Sequence, residues 1–264
     1  IDSTYLALLA KRHNLRTLVV HFDNGWNTEL AVSNIQNVIE RLGFDLYTYV
    51  VAWEEFRDIQ IAFLKAGVID IELITDHAIQ AVMTKTARKY GVKNILYGFN
   101  HPNESCLPSH WHHLKSDSLN IRAIHKLYGS GKLRTYPYIG FFRRYMFDKV
   151  HLINFIPLLE YMDYRKEEAK QQLEEELKWK DYGGKHFESI FTRFYQGYIL
   201  PRKFGVDKRM AHLSSLINSG QITRDEALIQ LSKNDYTEQM MQEDKLYVMK
   251  KLGIEEKEFD AMMN

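Results

Sequence analysis

Three stretches of this 264-residue chain place carboxylates, amides and hydroxyls where the backbone turns. The first is Asp2-Ser3, at the start of a helical pattern whose apolar face continues at Leu6, Leu9 and Ala10. The N–H groups at a helix N-terminus attract anions, and a carboxylate beside them suits the cation that accompanies a phosphate. The second is Asp23-Asn24-Gly25-Trp26, which ends the apolar run LRTLVVHFD. The third runs from Gly98 through Asn100 to Glu104, after KNILYG. Taken singly, they are a helix cap, a common turn and a polar loop. Ligands of open α/β sheets bind beyond the carboxyl ends of the strands, and all three stretches are expected there. Their joint occurrence favours one phosphate-binding edge.

Four further features invite chemistry. Lys185 follows Gly183-Gly184, a pair that turns sharply at little steric cost and is expected to fold the lysine over the phosphate edge. Lys185 and Arg193 suit a phosphate or another anionic group, lysine as a point charge and arginine bidentately. The alternative for both is a solvated helix surface. Trp26 either stacks on an adenine or sugar ring or packs in the core. His110, His112 and His113 lack the spacing of a helical zinc pair, so solvated loop histidines are expected. Cys106, the single cysteine, has neither elbow glycines nor a histidine partner and reads as a packed or idle thiol.

The elements that must position these residues alternate. LRTLVVHFD and FDLYTYVV read as strands, the first buried on both faces. Between them, Asn27 or Thr28 caps a helix that Gly43 stops. A helix follows over about 53–66, another starts at Thr75-Asp76 and ends at Gly91, and KNILYG is the third strand. This order predicts an α/β fold with a parallel sheet. By the same logic the opening helix is expected to have its partner strand just upstream of Ile1. Residues 100–117 read as a long loop of the kind that often carries function. From about Asp163 the pattern is helical, which divides the chain into an α/β domain over 1–164 and a helical region over 165–264.

Composition narrows the function classes. Hydrophobic residues at 45% and charged residues at 26% fit a globular chain with a sizeable core. With 35 basic and 34 acidic residues, the formal net charge of +1 argues against a broad nucleic-acid surface, although a local basic patch remains compatible with it. No apolar run approaches the ~20 residues of a membrane span. One cysteine excludes an intrachain disulfide framework and a multi-thiolate zinc site, and a reducing cytoplasm is the simplest setting.

The run IDST resembles the tail of SGGxDS, the phosphate loop of the PP-loop ATP pyrophosphatases (adenine-nucleotide alpha-hydrolases). HFDNG stands where such enzymes grip the nucleotide, YGFNHPNE is similar to their G-x-N-x-x-x-E segment, and PLLEYMDYRKEEA resembles the lead into their C-terminal helices. More narrowly, DNGWNTELAVSNI, ELITDH, YGFNHPNES and GGKHFESIFTRFYQGYILPRKFGVDKR resemble the N-acetyl sugar amidotransferases of O-antigen and nonulosonic-acid biosynthesis. Many of those carry Lys where this chain has Ile1 before Asp2.

This resemblance implies ATP and Mg²⁺ as cofactors. Asp2 and Glu104 would be the magnesium ligands, on the same edge, and Ser3, Asp23, Asn24, Gly25, Gly98 and Asn100 would contact the nucleotide. Asp2, Glu104 and Lys185 would be catalytic, and Trp26 and Arg193 would bind substrate. The implied reaction turns an acetamido group of a nucleotide sugar into an amidine. ATP adenylates the amide oxygen, pyrophosphate leaves, and ammonia then displaces AMP. The implied ammonia source is a separate glutaminase subunit, docked near the 100–117 loop. A tRNA-modifying enzyme of the same fold and a non-catalytic nucleotide-binding module are the alternatives. Near-neutral charge and the single cysteine weigh against the first, and two metal ligands weigh against the second.

Overall fold

A computed structural model describes residues 1–101, 105–150, 152–233 and 235–264. Its first half alternates as the apolar pattern requires: α1 (Asp2–Arg12), β1 (Leu18–Asp23), α2 (Glu29–Leu42), β2 (Asp45–Val50), α3 (Trp53–Ala66), α4 (Leu73–Lys89) and β3 (Asn94–Leu96). Thr28, rather than Asn27, caps α2 by accepting the Ala31 N–H at 3.2 Å. Gly43 ends that helix at φ 64°, a left-handed conformation that costs glycine nothing. α4 begins at Leu73, two residues ahead of the expected Thr75-Asp76 start.

The strands pair in parallel, but in two pairs rather than one continuous sheet. β1 lies against β2 from Leu18–Asp45 to Asp23–Val50. β3 lies against β4 (Asn154–Ile156). Before β4 come α5 (Ser118–Tyr128) and α6 (Phe141–Lys149), and neither helix nor β4 is marked by the sequence pattern. The strap between these helices is held from below by two carboxylates of α3. Glu55 accepts the N–H groups of Arg134, Thr135 and Tyr136 at 2.8–2.9 Å. Asp58 accepts from Ser130 N and Oγ, Gly131 N and the His125 ring.

The helical second part comprises α7 (Lys166–Leu177), α8 (Ile190–Phe194), α9 (Leu200–Phe204), α10 (Lys208–Asn218), α11 (Arg224–Ser232), α12 (Glu238–Leu252) and α13 (Glu256–Met263). A π-helical turn, Tyr195–Ile199, joins α8 to α9. Packing crosses residue 164 freely. α7 closes on α1 and α2 through Leu173, Leu177 and Trp179 against Leu6, Leu9, Val38 and Leu42. The largest apolar cluster joins Trp26, Phe56 and Phe63 to Phe194, Tyr195, Val248 and Phe259.

Candidate functional site

The first of the turning stretches meets the third. A methyl group on Gly98 would lie 2.9 Å from the Asp2 Cβ and 3.1 Å from the Ser3 amide nitrogen, so only glycine lets the chain leaving β3 touch the start of α1. Asn100 is fully buried and donates from Nδ2 to the Gly98 carbonyl at 3.1 Å, which fixes this turn. The Asp2 carboxylate accepts the Tyr164 hydroxyl. Burial, with the Asp2 charge and that bond adding to it, pushes the phenol up, so Tyr164 stays a donor and orients the acid. Tyr164, 162 residues away, falls in the segment PLLEYMDYRKEEA, which the sequence marks only as the lead into the C-terminal helices. Glu104 lies outside the described residues.

The second stretch is ordered by its own side chains. Asp23 Oδ1 accepts the Gly25 N–H at 2.8 Å, Asn24 Oδ1 accepts the Trp26 N–H at 3.2 Å, and Gly25 takes φ 80°. From α12, Lys251 donates to the Gly25 carbonyl and sits 4.8 Å over the Trp26 ring. Ligand stacking does not fit Trp26. The indole is 1% exposed, Nε1 donates to Gln60 at 3.0 Å, and Trp53 and Phe191 cover the rings, so core packing replaces the expected ligand contact.

A strap over 183–189 carries further polar groups to this turn. Thr28 N–H donates to the Glu188 carbonyl at 2.9 Å, Ile190 N–H to the Trp26 carbonyl at 2.9 Å, and Asn27 bridges to Ser189. Gly183 turns at φ 82°, and His186 takes φ 66°, rare for a residue with a side chain and a conformation that clusters at functional sites. Burial pushes the Glu188 carboxyl up, but the hydrogen bond and charge of His186 outweigh that and hold it below its ordinary range. The strap is therefore fixed to the chain just after the Asp23–Trp26 turn. Lys185 reaches α10, its Nζ 2.9 Å from His212 Nδ1.

Arg193 is turned inward. Nε and NH2 each lie 2.7 Å from an Asp244 oxygen, and Tyr236 donates to the same buried carboxylate at 2.9 Å. An internal tie of this kind occupies the fork expected to bind substrate. Beside it, Thr192 donates to Glu72 at 2.6 Å, and burial pushes that carboxyl up against the opposing pull of Lys208.

The loop histidines do not converge. His113 pairs with Asp117 at 2.9 Å, His112 Nδ1 lies 3.3 Å from the Pro108 carbonyl, and His110 packs edge-on against Trp111. Among the described residues, no three His, Cys, Asp or Glu side chains gather as a metal centre. Cys106 rests on α10, its N–H donating to Ser215 at 3.0 Å and its sulfur accepting from Asn218. A cleft of about 340 Å³ opens elsewhere, between α3, the Tyr128–Gly131 turn and the α12–α13 corner. In it Lys65 pairs with Glu258, and Asp58 is bound to the strap.

The geometry thus brings the Asp2 carboxylate, the Ser3 amide at the start of α1 and the Gly98 turn together, and separately fixes the 183–189 strap beside the Asp23–Trp26 turn. Residues 188–264 match the WbpG-like C-terminal domain of LPS biosynthesis proteins, which supports a role in lipopolysaccharide biosynthesis. No curated protein matches the chain. Among the described residues, no helix is long and apolar enough to cross a membrane.

Proposed function

We propose that this chain is an ATP-dependent amidotransferase of the PP-loop fold that converts an acetamido group of a nucleotide sugar to an acetamidino group. The observation that carries the reading is the close approach of Gly98 to Asp2 and Ser3. It forms a cradle that any larger residue would fill, beside a carboxylate oriented by a buried phenol. Asp2 and Glu104 would hold Mg²⁺, which when bound neutralises charge on departing pyrophosphate. The α1 N–H groups and the Ser3 hydroxyl would bind the phosphates, and the Asp23-Asn24-Gly25 turn would receive the nucleoside.

The amide oxygen attacks the α-phosphorus of ATP, and the bond to pyrophosphate breaks. Ammonia then adds to the imidate carbon, loses a proton and expels AMP, which retains the former amide oxygen. The chain's part is to bind and orient. Tyr164 keeps Asp2 in place, Asn100 keeps the Gly98 turn tight, and the 183–189 strap would close over the Asp23–Trp26 turn. Lys185 sits beside His212 on α10, so its contact with an acceptor would require that pair to open. Cys106 lies against α10 without a nucleophile's surroundings, so this thiol is not the ammonia source, and the proposed source is a separate glutaminase subunit.

The test supplies purified chain with ATP, magnesium and an N-acetylated nucleotide sugar. The reading expects AMP release with ammonium, and with glutamine only after a glutaminase is added. Release of no AMP under any of these conditions would overturn it, and glutamine use by the isolated chain would overturn the partner.

A further inference from the structure

The net charge of +1 conceals an uneven distribution. Residues 118–152 contain seven Lys and Arg and a single acid, Asp148. Residues 118–149 of it are α5, the strap and α6, laid across α3 and α4. Ile121 and Ile124 of α5 are buried, the Tyr136 hydroxyl donates to the Ile74 carbonyl at 2.6 Å, and Arg144 donates to Gln80. What it turns outward is unusual. On α6, Phe141 is 89% and Phe142 73% exposed, and Tyr145 joins them, because positions i, i+1 and i+4 fall within about 100° of a helix surface. Phe147, on the opposite side of that helix, is 5% exposed and packs with Ile139 and Ile153. On α5, the exposed Leu119 and Leu127 are interleaved with the exposed cations Arg122 and Lys126. Lys132, Arg134 and Lys149 are exposed as well.

We propose that the outward face of residues 118–150 docks the protein on an anionic lipid bilayer, as a peripheral contact rather than a span. Charge complementarity names the occupant. Cations draw the segment to an anionic surface, and bulky apolar side chains set among them enter the headgroup boundary. A nucleic acid would satisfy the cations but leave Leu119, Leu127 and Val150 facing phosphate and water. A protein partner of ordinary composition would more often meet a surface depleted in lysine. Phe141 and Phe142 supply the apolar insertion, and Arg122, Lys126 and Arg134 supply the electrostatic part.

The test is co-sedimentation of the purified chain with vesicles of phosphatidylcholine alone and of phosphatidylcholine mixed with phosphatidylglycerol. A fluorescent single-stranded oligonucleotide serves as competitor. We expect binding to the mixed vesicles only, and weakening with salt, because exposed charges are screened within about 8 Å at physiological ionic strength. Replacing Phe141 and Phe142 together by Ser should weaken binding about tenfold or more. Replacing Arg122, Lys126 and Arg134 by Gln should weaken it about a hundredfold, at about fivefold per cation. Both variants should melt with the parent protein, since the replaced side chains face solvent. Absence of vesicle binding, equal binding to both vesicle types, binding unchanged in the variants, displacement by the oligonucleotide, or a lowered melting temperature in the Phe141/Phe142 variant would each overturn the proposal.

Discussion

At the scale of single residues, Gly98 and Asp2 carry the account, and they separate stability from chemistry. Gly98→Ala forces a methyl group against α1 at 2.9 Å, so a loss of about 1–3 kcal/mol is expected from overpacking, together with weaker nucleotide binding. Thermal melting alongside a titration with ATP checks both. Asp2→Asn should leave melting nearly unchanged, because Asn still accepts from Tyr164, while pyrophosphate release falls to background. Arg193→Ala should behave oppositely. It strands the buried Asp244 carboxylate and should lower stability by about 3 kcal/mol, as removing one partner of a buried pair does. Normal stability in that variant would show that the pair is not the tie described. Gly98 was legible as the turn after a strand, and Asp2 as an acid at a helix start; that the two meet was not. Trp26 was not, since an aromatic residue after a turn looks the same whether it faces ligand or core. Lys251, Tyr164 and His212 reach the site from far along the chain, and no local pattern signals them.

At the scale of elements, the strap over α3 has a pH signature. Burial pushes Asp58 up, but its bonds from Ser130, Gly131 and His125 outweigh that and hold it well below the ordinary carboxylate range. The folded state therefore favours the ionised form. Its contribution is complete above the unfolded carboxylate value of about 4 and is lost as pH falls through the folded value. His77 acts in the same direction for another reason. Its Nδ1 lies 2.8 Å from the Lys115 carbonyl, its Nε2 accepts the Ile139 N–H at 3.1 Å, and burial keeps the ring neutral, its value pushed down. Stability should thus decline as pH falls below about 6.5 and again below about 4. Denaturant midpoints across that range measure it. His77→Gln should flatten the first decline and Asp58→Asn the second; an unchanged slope in either variant would reject that assignment. The longer helices and β1 to β3 were readable from apolar period and caps. β4 has three residues and α6 carries aromatic residues on two faces, so neither shows a clean period.

At the scale of the whole molecule, one apolar cluster runs from Trp26 to Met262 and includes residues on both sides of position 164. The chain should therefore unfold in a single transition by circular dichroism and by tryptophan fluorescence. Phe259→Ala, at a fully buried position against Phe194 and Tyr198, should cost about 3–5 kcal/mol and destabilise both parts together. Non-coincident transitions would show two independent units. The same continuity places the end of the 183–189 strap, Glu188 and Ser189, where the region matching LPS biosynthesis proteins begins, against Asn27 and Thr28 of the first part.

The proposed reaction makes one prediction that no neighbouring chemistry shares. An acetamido oxygen activated by adenylation must leave with the phosphate. Nucleotide sugar carrying ¹⁸O in its N-acetyl carbonyl, incubated with the chain, ATP, magnesium and ammonium, should therefore give AMP that contains one ¹⁸O atom and pyrophosphate that contains none. Turnover that yields unlabelled AMP, or ADP and phosphate in place of AMP and pyrophosphate, would contradict the assignment.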